Sequence, residues 1–424
     1  MRSRLRLLGA LAVVAARAHA AEPPPLSELT QLQDAAIAAN PDLDARRAAI
    51  QEIAERAAVA GAWVDPVVSV EYSNAPVSTW SIADHPMAGV QLRVQQALRP
   101  PQWSARRRAP GEHEAQARGH TLSDAELSLR AAVARAYWSL HRTRLLREVT
   151  VAHIARTEEL LEIVVARYKV GAVGQHAVLR LEVLRDRLTD NLADFDRTER
   201  EHAAALARAL GQGAAPPVLA RDTIAVSAPP EAVDWRALAE RDRPALDALD
   251  ERIAAEQAGV ALAETEALPD PVVWAGYRVR VAATETDPGT DFVSVGVGVP
   301  LPLGSGRMAG GERQARLSAV ARLAAERRAM LDAIAAEGET ALARWQRSAD
   351  RAKTYTDVLI PAATSALQTT QADFATGRAD FASLFEAEVA LLDLERAVIE
   401  ATIDTHVQHA ETTALVGANI GGSP

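Results

Sequence analysis

The 424-residue chain contains no cysteine. That excludes a disulfide framework, a thiolate zinc site, a cysteine nucleophile and a lipidated N-terminal cysteine. Aromatic residues are scarce too, 4% of a chain that is 48% hydrophobic. Ala, Leu, Val, Glu and Arg fill the gap, a composition of long helices and coiled coils rather than of a compact aromatic core. Beyond residue 20 no apolar run reaches 18 residues, so no transmembrane helix is expected. Positive charge is in deficit, 46 Lys and Arg against 56 Asp and Glu, which argues against a nucleic-acid partner. No nucleophile motif or cofactor fingerprint is present, so no enzyme and no cofactor are expected. Gly304 to Gly311 lacks the Lys-Ser/Thr ending and the βαβ setting of a phosphate loop. His406 and His409 have ligand-like spacing but no third ligand beside them, and read as exposed helical histidines rather than a metal site.

Residues 1–20 read as a secretory signal. Arg2, Arg4 and Arg6 precede the apolar stretch Leu7 to Ala16, and Ala18-His19-Ala20 matches a cleavage site before Ala21. Its removal takes away four arginines and no acid, moving the formal charge from −10 to −14.

The remaining chain is written twice. Asn40-Pro41-Asp42-Leu43 is echoed by Arg243-Pro244-Ala245-Leu246, and Asp65-Pro66-Val67-Val68 by Asp270-Pro271-Val272-Val273. Tyr168-x-x-Gly171 returns as Phe374-x-x-Gly377, and Gly211 as Gly417, both 206 residues later. The first repeat is taken as 21–215, a proline-rich linker as 216–232 and the second repeat as 233–424. Each begins with a helix (26–62, 233–266), continues with a strand pair (67–98, 272–301) and ends in a long helical hairpin (112–210, 307–416). Val178, Leu181, Leu188, Leu192 and Phe195 hold a heptad seam, as do Leu384, Ala387, Leu391, Leu394 and Val398. Leu129, Val133, Tyr137 and Leu140 offer a partner stripe on the preceding helix.

The four strands alternate. Val68, Val70 and Tyr72 oppose Ser69, Glu71 and Ser73, and Val90, Leu92 and Val94 oppose Gln91, Arg93 and Gln95. Val273 to Val281 oppose Gly276, Arg278 and Arg280, with Trp274 as a misfit, and Val293 to Leu301 oppose Ser294, Gly296 and Gly298. The helices are committed to one another, so lipid is left to cover the apolar face. A membrane sheet has no open edge, and four strands are too few for a barrel. Three copies give twelve strands, with Arg93, Arg278 and Arg280 lining a lumen, the loops 75–86 and 283–290 outside, and Trp80 and Tyr72 in an aromatic belt. The expected fold class is thus mixed. A long α-helical coiled-coil barrel joins a transmembrane β-barrel shared by three chains, and the whole is internally duplicated.

The layout resembles the TolC-like outer-membrane efflux protein family across nearly all of the chain after residue 20. The anchors are Asn40–Leu43, the Tyr168-x-x-Gly171 and Phe374-x-x-Gly377 turns, and Val299-Pro300-Leu301-Pro302-Leu303. Met87–Leu98 with Pro100-Pro101, and the Pro300 to Gly304 run, look most like its heavy-metal (CusC/CzcC-type) branch. The resemblance implies a homotrimer in the outer membrane of a Gram-negative bacterium, with its helices in the periplasm. It also implies a periplasmic adaptor and an inner-membrane transporter as partners, and metal cations or small toxic compounds as candidate cargo. Acidic rings close such tunnels just past the second turn; the matching positions here are Ser383 and Glu386, only one of them acidic. The adaptor is expected to dock on the hairpin turns, at Tyr168, Val170, Gly171, Gly174, Phe374, Gly377, Asp380 and Phe381. The alternative reading is a periplasmic coiled-coil adaptor or scaffold.

Overall fold

The computed structural model describes residues 29–83, 85–211, 224–281, 288–301 and 304–420. The expected signal, the first part of the linker and most of loop 283–290 lie outside them. Four strands, β1 (Val67–Ser73), β2 (Gly89–Ala97), β3 (Val272–Val279) and β4 (Phe292–Gly298), form one antiparallel sheet in the order β1-β2-β3-β4. The strand pairs of the two halves therefore join edge to edge, with Leu92 opposite Tyr277 and Val94 opposite Ala275. All four strands end earlier than alternation predicts. Alternation continues past the ladders at Leu98, Val281, Val299 and Leu301, but paired backbone largely does not.

The expected first helix of each half is two helices. α1 (Leu29–Ala39) and α2 (Pro41–Ala60) break at Asn40-Pro41, and α5 (Trp235–Asp242) and α6 (Pro244–Glu266) break at Arg243-Pro244. A residue before proline is pushed out of the α region, while proline itself suits the first helical position. Asn40 adopts an extended conformation and its side chain accepts from the backbone amides of Asp42 (2.8 Å) and Leu43 (3.3 Å), capping α2.

The long helix of the first half, α3 (Trp103–Lys169), spans 67 residues, about 100 Å at 1.5 Å per residue. It starts well before the expected residue 112 and runs through Pro110, at the cost of one intrahelical bond. Gly111, next to it, lets α3 approach α2 closely: a Cβ there would stand 2.7 Å from the Cβ of Ala57. In the second half the long helix is interrupted. α7 (Ser305–Thr354) passes through a π-turn, Tyr355–Leu359, into α8 (Ile360–Thr376). Pro361 cannot donate to the carbonyl of Asp357, and the Ile360 amide reaches back five residues to Tyr355 instead. α4 (Gln175–Ala209) and α9 (Phe381–Val416) return from the two hairpin turns.

Toward the sheet, α3 packs on α2 and α6, and α6 on α7; toward the turns, α3 packs on α4 and α9. The stripe Val133, Tyr137 and Leu140 meets Leu32, Leu206 and Ile403 in a mid-body core, not the α4 seam expected from heptads. The seam residues Leu181, Leu384 and Leu391 pack instead with Leu160, Val164 and Leu367 near the turns. The segment 224–230 is fastened to the body: the Ser227 amide donates to Thr405 Oγ1 (3.1 Å) and Trp345 Nε1 to the Ser227 carbonyl (2.9 Å).

α4 ends against the α1/α2 break, and α9 against the α5/α6 break. Gly211 (φ +70°) and Gly417 (φ +84°) are left-handed, and a Cβ on Gly417 would overlap the Asp242 carbonyl oxygen. Gly171, at the first hairpin turn, is equally left-handed (φ +73°) with nothing within 4 Å of a Cβ. Gly171→Ala should therefore cost only the left-handed penalty, about 1 kcal/mol, whereas Gly417→Ala adds a backbone clash. Thermal melts followed by circular dichroism should show the larger drop for Gly417→Ala; equal drops would mean that the helix junction yields.

Candidate functional site

The register divides the sheet into two unlike faces. Val68, Val70, Tyr72, Leu92, Val94, Tyr277, Val293, Val295 and Val297 share one face, and all are exposed, Val70 at 72% and Val295 at 77%. Among the described residues, no helix packs extensively against the sheet. Among the described residues, the outer edges of β1 and β4 pair with no strand.

The other face is polar and organised around arginine. Arg93 lies 3.7 Å from Glu71 and stacks over Trp274, its guanidinium 4.7 Å from the ring centroid. Trp274, the misfit of the alternation, thus belongs to the polar face, where a guanidinium covers it. Gly296 makes room for it, since a Cβ there would stand 2.5 Å from the indole ring. Arg278 Nη2 donates to Gln91 Oε1 (3.0 Å), and Arg280 sits over the Phe292 ring at 5.2 Å. The structure thus brings Arg93 and Arg278 onto one face, with Arg280 just past the end of β3 in the same phase. At the loop end Tyr72 donates to the carbonyl of Trp80, which is 69% exposed with φ +50°.

The opposite end of the molecule holds the two hairpin turns. Gly171 and Gly377 (φ +79°) take the left-handed conformation that each reversal needs. Gly174 and Asp380 cap α4 and α9. Asp380 accepts from the Ser383 amide (2.9 Å) and the Ser383 hydroxyl (2.6 Å), and that hydroxyl holds its carboxyl below the ordinary range. Ser383 is therefore engaged in the cap. Glu386, one turn on, is exposed and has no ion-pair partner among the described residues. Of the aromatics expected at the docking surface, only Tyr168 is exposed. Phe374 and Phe381 are 1% and 6% exposed, inside the core cluster beneath the turns, with Arg167 stacked on Phe374 at 4.7 Å. Burial corrects their assignment: they hold the two hairpins together, and Tyr168 and Val170 (78% exposed) remain as the apolar surface of the tip.

One group went unread in the sequence and another was misread. His153 on α3 is fully buried between Glu388 (2.6 Å) and Glu395 (2.8 Å) of α9, so a buried carboxylate does exist on these helices. His153 and Glu388 are 235 residues apart, and no local pattern links them. His406 is not an exposed histidine. It stacks on Trp138, ring centroids 4.1 Å apart, and its Nε2 donates to the Ala225 carbonyl; burial lowers its pKa. His409 packs at the edge of Trp345 and bonds Asn419. Among the described residues no cluster of three or more His, Asp or Glu is placed to hold a metal ion, and no helix is long and apolar enough to cross a membrane.

Residues 235–418 match the family model described as outer membrane efflux protein. The sequence matches none of the curated proteins. The fold is that of several solved structures. The outer membrane protein VceC from Vibrio cholerae superposes with a TM-score of 0.72 at 18% identity, over 92% of this chain and 96% of that one. CusC, described with its folding and transmembrane channel formation, gives 0.72 at 13% identity over 92% of each chain. The open-state MtrE outer membrane channel of Neisseria gonorrhoeae gives 0.66 at 15% identity, over 93% and 90%. The resemblance inferred from the sequence to the TolC-like outer membrane efflux proteins thus holds for the fold of the chain and for the family of its second half.

The burial at the turns separates two classes of tip residue. Phe374→Ala should destabilise the hairpins by about 3–5 kcal/mol, the usual loss for a fully buried phenylalanine. Val170→Ser should leave stability within about 0.5 kcal/mol. Limited proteolysis across the turns should report the difference; comparable cleavage of the two variants contradicts the assignment.

Proposed function

We propose that this chain, whose residues 235–418 match the outer membrane efflux protein family, is the exit duct of a tripartite efflux system. Three copies stand in the outer membrane of a Gram-negative bacterium with their helices in the periplasm. One observation carries the reading: a largely exposed apolar sheet face, bounded among the described residues by two unpaired edges, at one end of a long helical body. Lipid suits that face, and lipid tolerates no open edge, so edges of neighbouring copies must pair. Twelve strands enclose a water-filled lumen lined by Arg93, Arg278 and Arg280. The recurrence of the element order in both halves fits a duplicated chain, with residues 1–20 as a signal that directs export.

Strand length supports the same reading. Strands of 7 to 9 residues, tilted by about 40°, rise roughly 18–23 Å, a little short of the roughly 25 Å apolar band of such barrels. Val64, Leu98, Val299 and Leu301 continue the outward phase beyond the strands, and all are exposed, so they extend the band toward the periplasm. The hairpin turns, with Tyr168, Val170, Gly171, Gly174, Gly377 and Asp380, are where an adaptor docks, and an inner-membrane transporter supplies the energy. Glu386, exposed near the second turn, contributes repulsion when three copies bring it toward one axis. Catalysis has no place in this account, and the cargo is a small solute or ion. The apolar sheet face disfavours a soluble adaptor or scaffold, which would have to bury it.

Purified protein added to a planar bilayer should give discrete conductance steps. Protein that stays with the soluble periplasmic fraction and gives no steps contradicts the proposal. The strand phase is tested within the same assay. Val295→Arg puts a guanidinium into lipid, at about 2–4 kcal/mol, and should reduce membrane-assembled protein. Ser294→Arg, on the opposite face, should leave assembly intact and shift selectivity toward anions. The reverse pattern would mean that the faces are exchanged.

A further inference from the structure

The polar face of the sheet carries more charge than wetting requires. Ser69, Gln95 and Ser294 suffice to line a water-filled space, yet arginines stand among them. The ladder sets Arg93 opposite Gly276; Arg278 takes the next position of that phase on β3, and Arg280 follows just past its end. Three guanidinium positions thus succeed one another at intervals of about 7 Å along the strands, two residues at a time. Among the described residues, Glu71 is the one acid on the polar face of the strands. Asp291 lies in the opposite phase, where it accepts from the Tyr277 hydroxyl and the Arg280 backbone amide. Three arginines against one glutamate leave a net positive wall in a chain whose overall formal charge is −10.

The neighbours of these guanidiniums orient them without cancelling their charge. Arg93 stands 3.7 Å from Glu71, beyond hydrogen-bond distance, and stacks over Trp274 at 4.7 Å. Arg280 lies over the Phe292 ring at 5.2 Å. Arg278 gives one hydrogen bond, 3.0 Å long, to the amide oxygen of Gln91. Gly276 admits that amide, since a Cβ there would collide with Gln91 Nε2. An aromatic face or a neutral amide fixes the plane of a guanidinium and leaves the cation unneutralised. Five N–H donors on a planar fork give Arg278 more than Gln91 takes up.

We propose that Arg93, Arg278 and Arg280 make the sheet end an anion-selective passage, and that the cargo it favours is small organic anions, aromatic carboxylates above all. The inference rests on the channel reading given above. A guanidinium offers a carboxylate two parallel donors, and its flat face stacks on an aromatic ring as it already does on Trp274. Scale decides whether such a wall is felt by a passing ion. Twelve strands about 4.8 Å apart, tilted by about 40°, set the backbone roughly 12 Å from the axis. Arginine side chains reach inward from there, so an ion on the axis lies within the Debye length, about 10 Å at 0.1 M salt. Charged clefts reach potentials of several kT, and a positive potential of only about one kT enriches monovalent anions over cations roughly sevenfold.

Reversal potentials of the full-length protein in a planar bilayer, under a KCl gradient near about 0.1 M, measure the selectivity directly. The unaltered protein should prefer chloride over potassium several-fold, and the preference should fade at about 1 M, where the Debye length is about 3 Å. Arg93→Gln combined with Arg278→Gln should move the permeability ratio several-fold toward potassium. Glu71→Gln should move it the other way, a gain that a misfolded variant would not give. Benzoate should reduce the chloride current at a lower concentration than acetate does. Arg93→Lys, which keeps the charge but loses the planar fork, should narrow that gap. Potassium preference in the unaltered protein, or a permeability ratio that ignores both charge variants, overturns the inference. Benzoate and acetate acting alike would overturn the aromatic preference. Conductance steps without chloride preference sink the anion inference alone, whereas the absence of any steps removes the channel reading and this inference with it.

Discussion

A backbone amide or carbonyl facing hydrocarbon without a partner costs several kcal/mol, and a sheet edge presents a whole row of them. Among the described residues the chain carries two such edges, on β1 and β4, and between them a largely exposed apolar face. Water is a poor solvent for the face, and lipid is a poor solvent for the edges. One arrangement answers both demands: the edges pair with other copies while the face meets acyl chains. In the proposed channel the remaining architecture follows from that closure. The polar face turns inward, which is why arginines stack on Trp274 and Phe292 there instead of facing outward.

The helical body solves a different problem, the joining of many helices into one long wall without buried, unsatisfied ends. Four short helices cannot run the length of α3, so they abut. Gly211 and Gly417 close two of the abutting ends in the left-handed conformation, and Pro41 and Pro244 open the next helices with a fixed φ and no amide to satisfy. Both halves use the same device at the same junction. They differ where Pro361 and the π-turn interrupt one rod.

Most of the sheet was legible in the sequence, because period-two alternation is a local signal and lies within each strand. The ends were less so, since alternation runs past the ladder at Leu98, Val299 and Leu301. Gly211 and Gly417 were readable as helix ends, but the close approach that requires glycine at Gly417 comes from a helix 175 residues away in sequence. Asn40-Pro41 and Arg243-Pro244 carried the break signal openly, yet each pair of helices was read as one. Phe374 and Phe381 were misassigned because flanking a turn does not reveal which way a side chain points. The His153–Glu388 contact was invisible for a stronger reason: three charged residues on polar-looking helices become a buried cluster only when α3 and α9 pack.

The central claim is that neighbouring copies satisfy the open edges of the sheet. Native mass spectrometry of the purified, detergent-extracted membrane protein measures the number of chains directly. The account predicts three chains, since twelve strands close a barrel where four cannot. A membrane-inserted monomer, stable on its own, would contradict it.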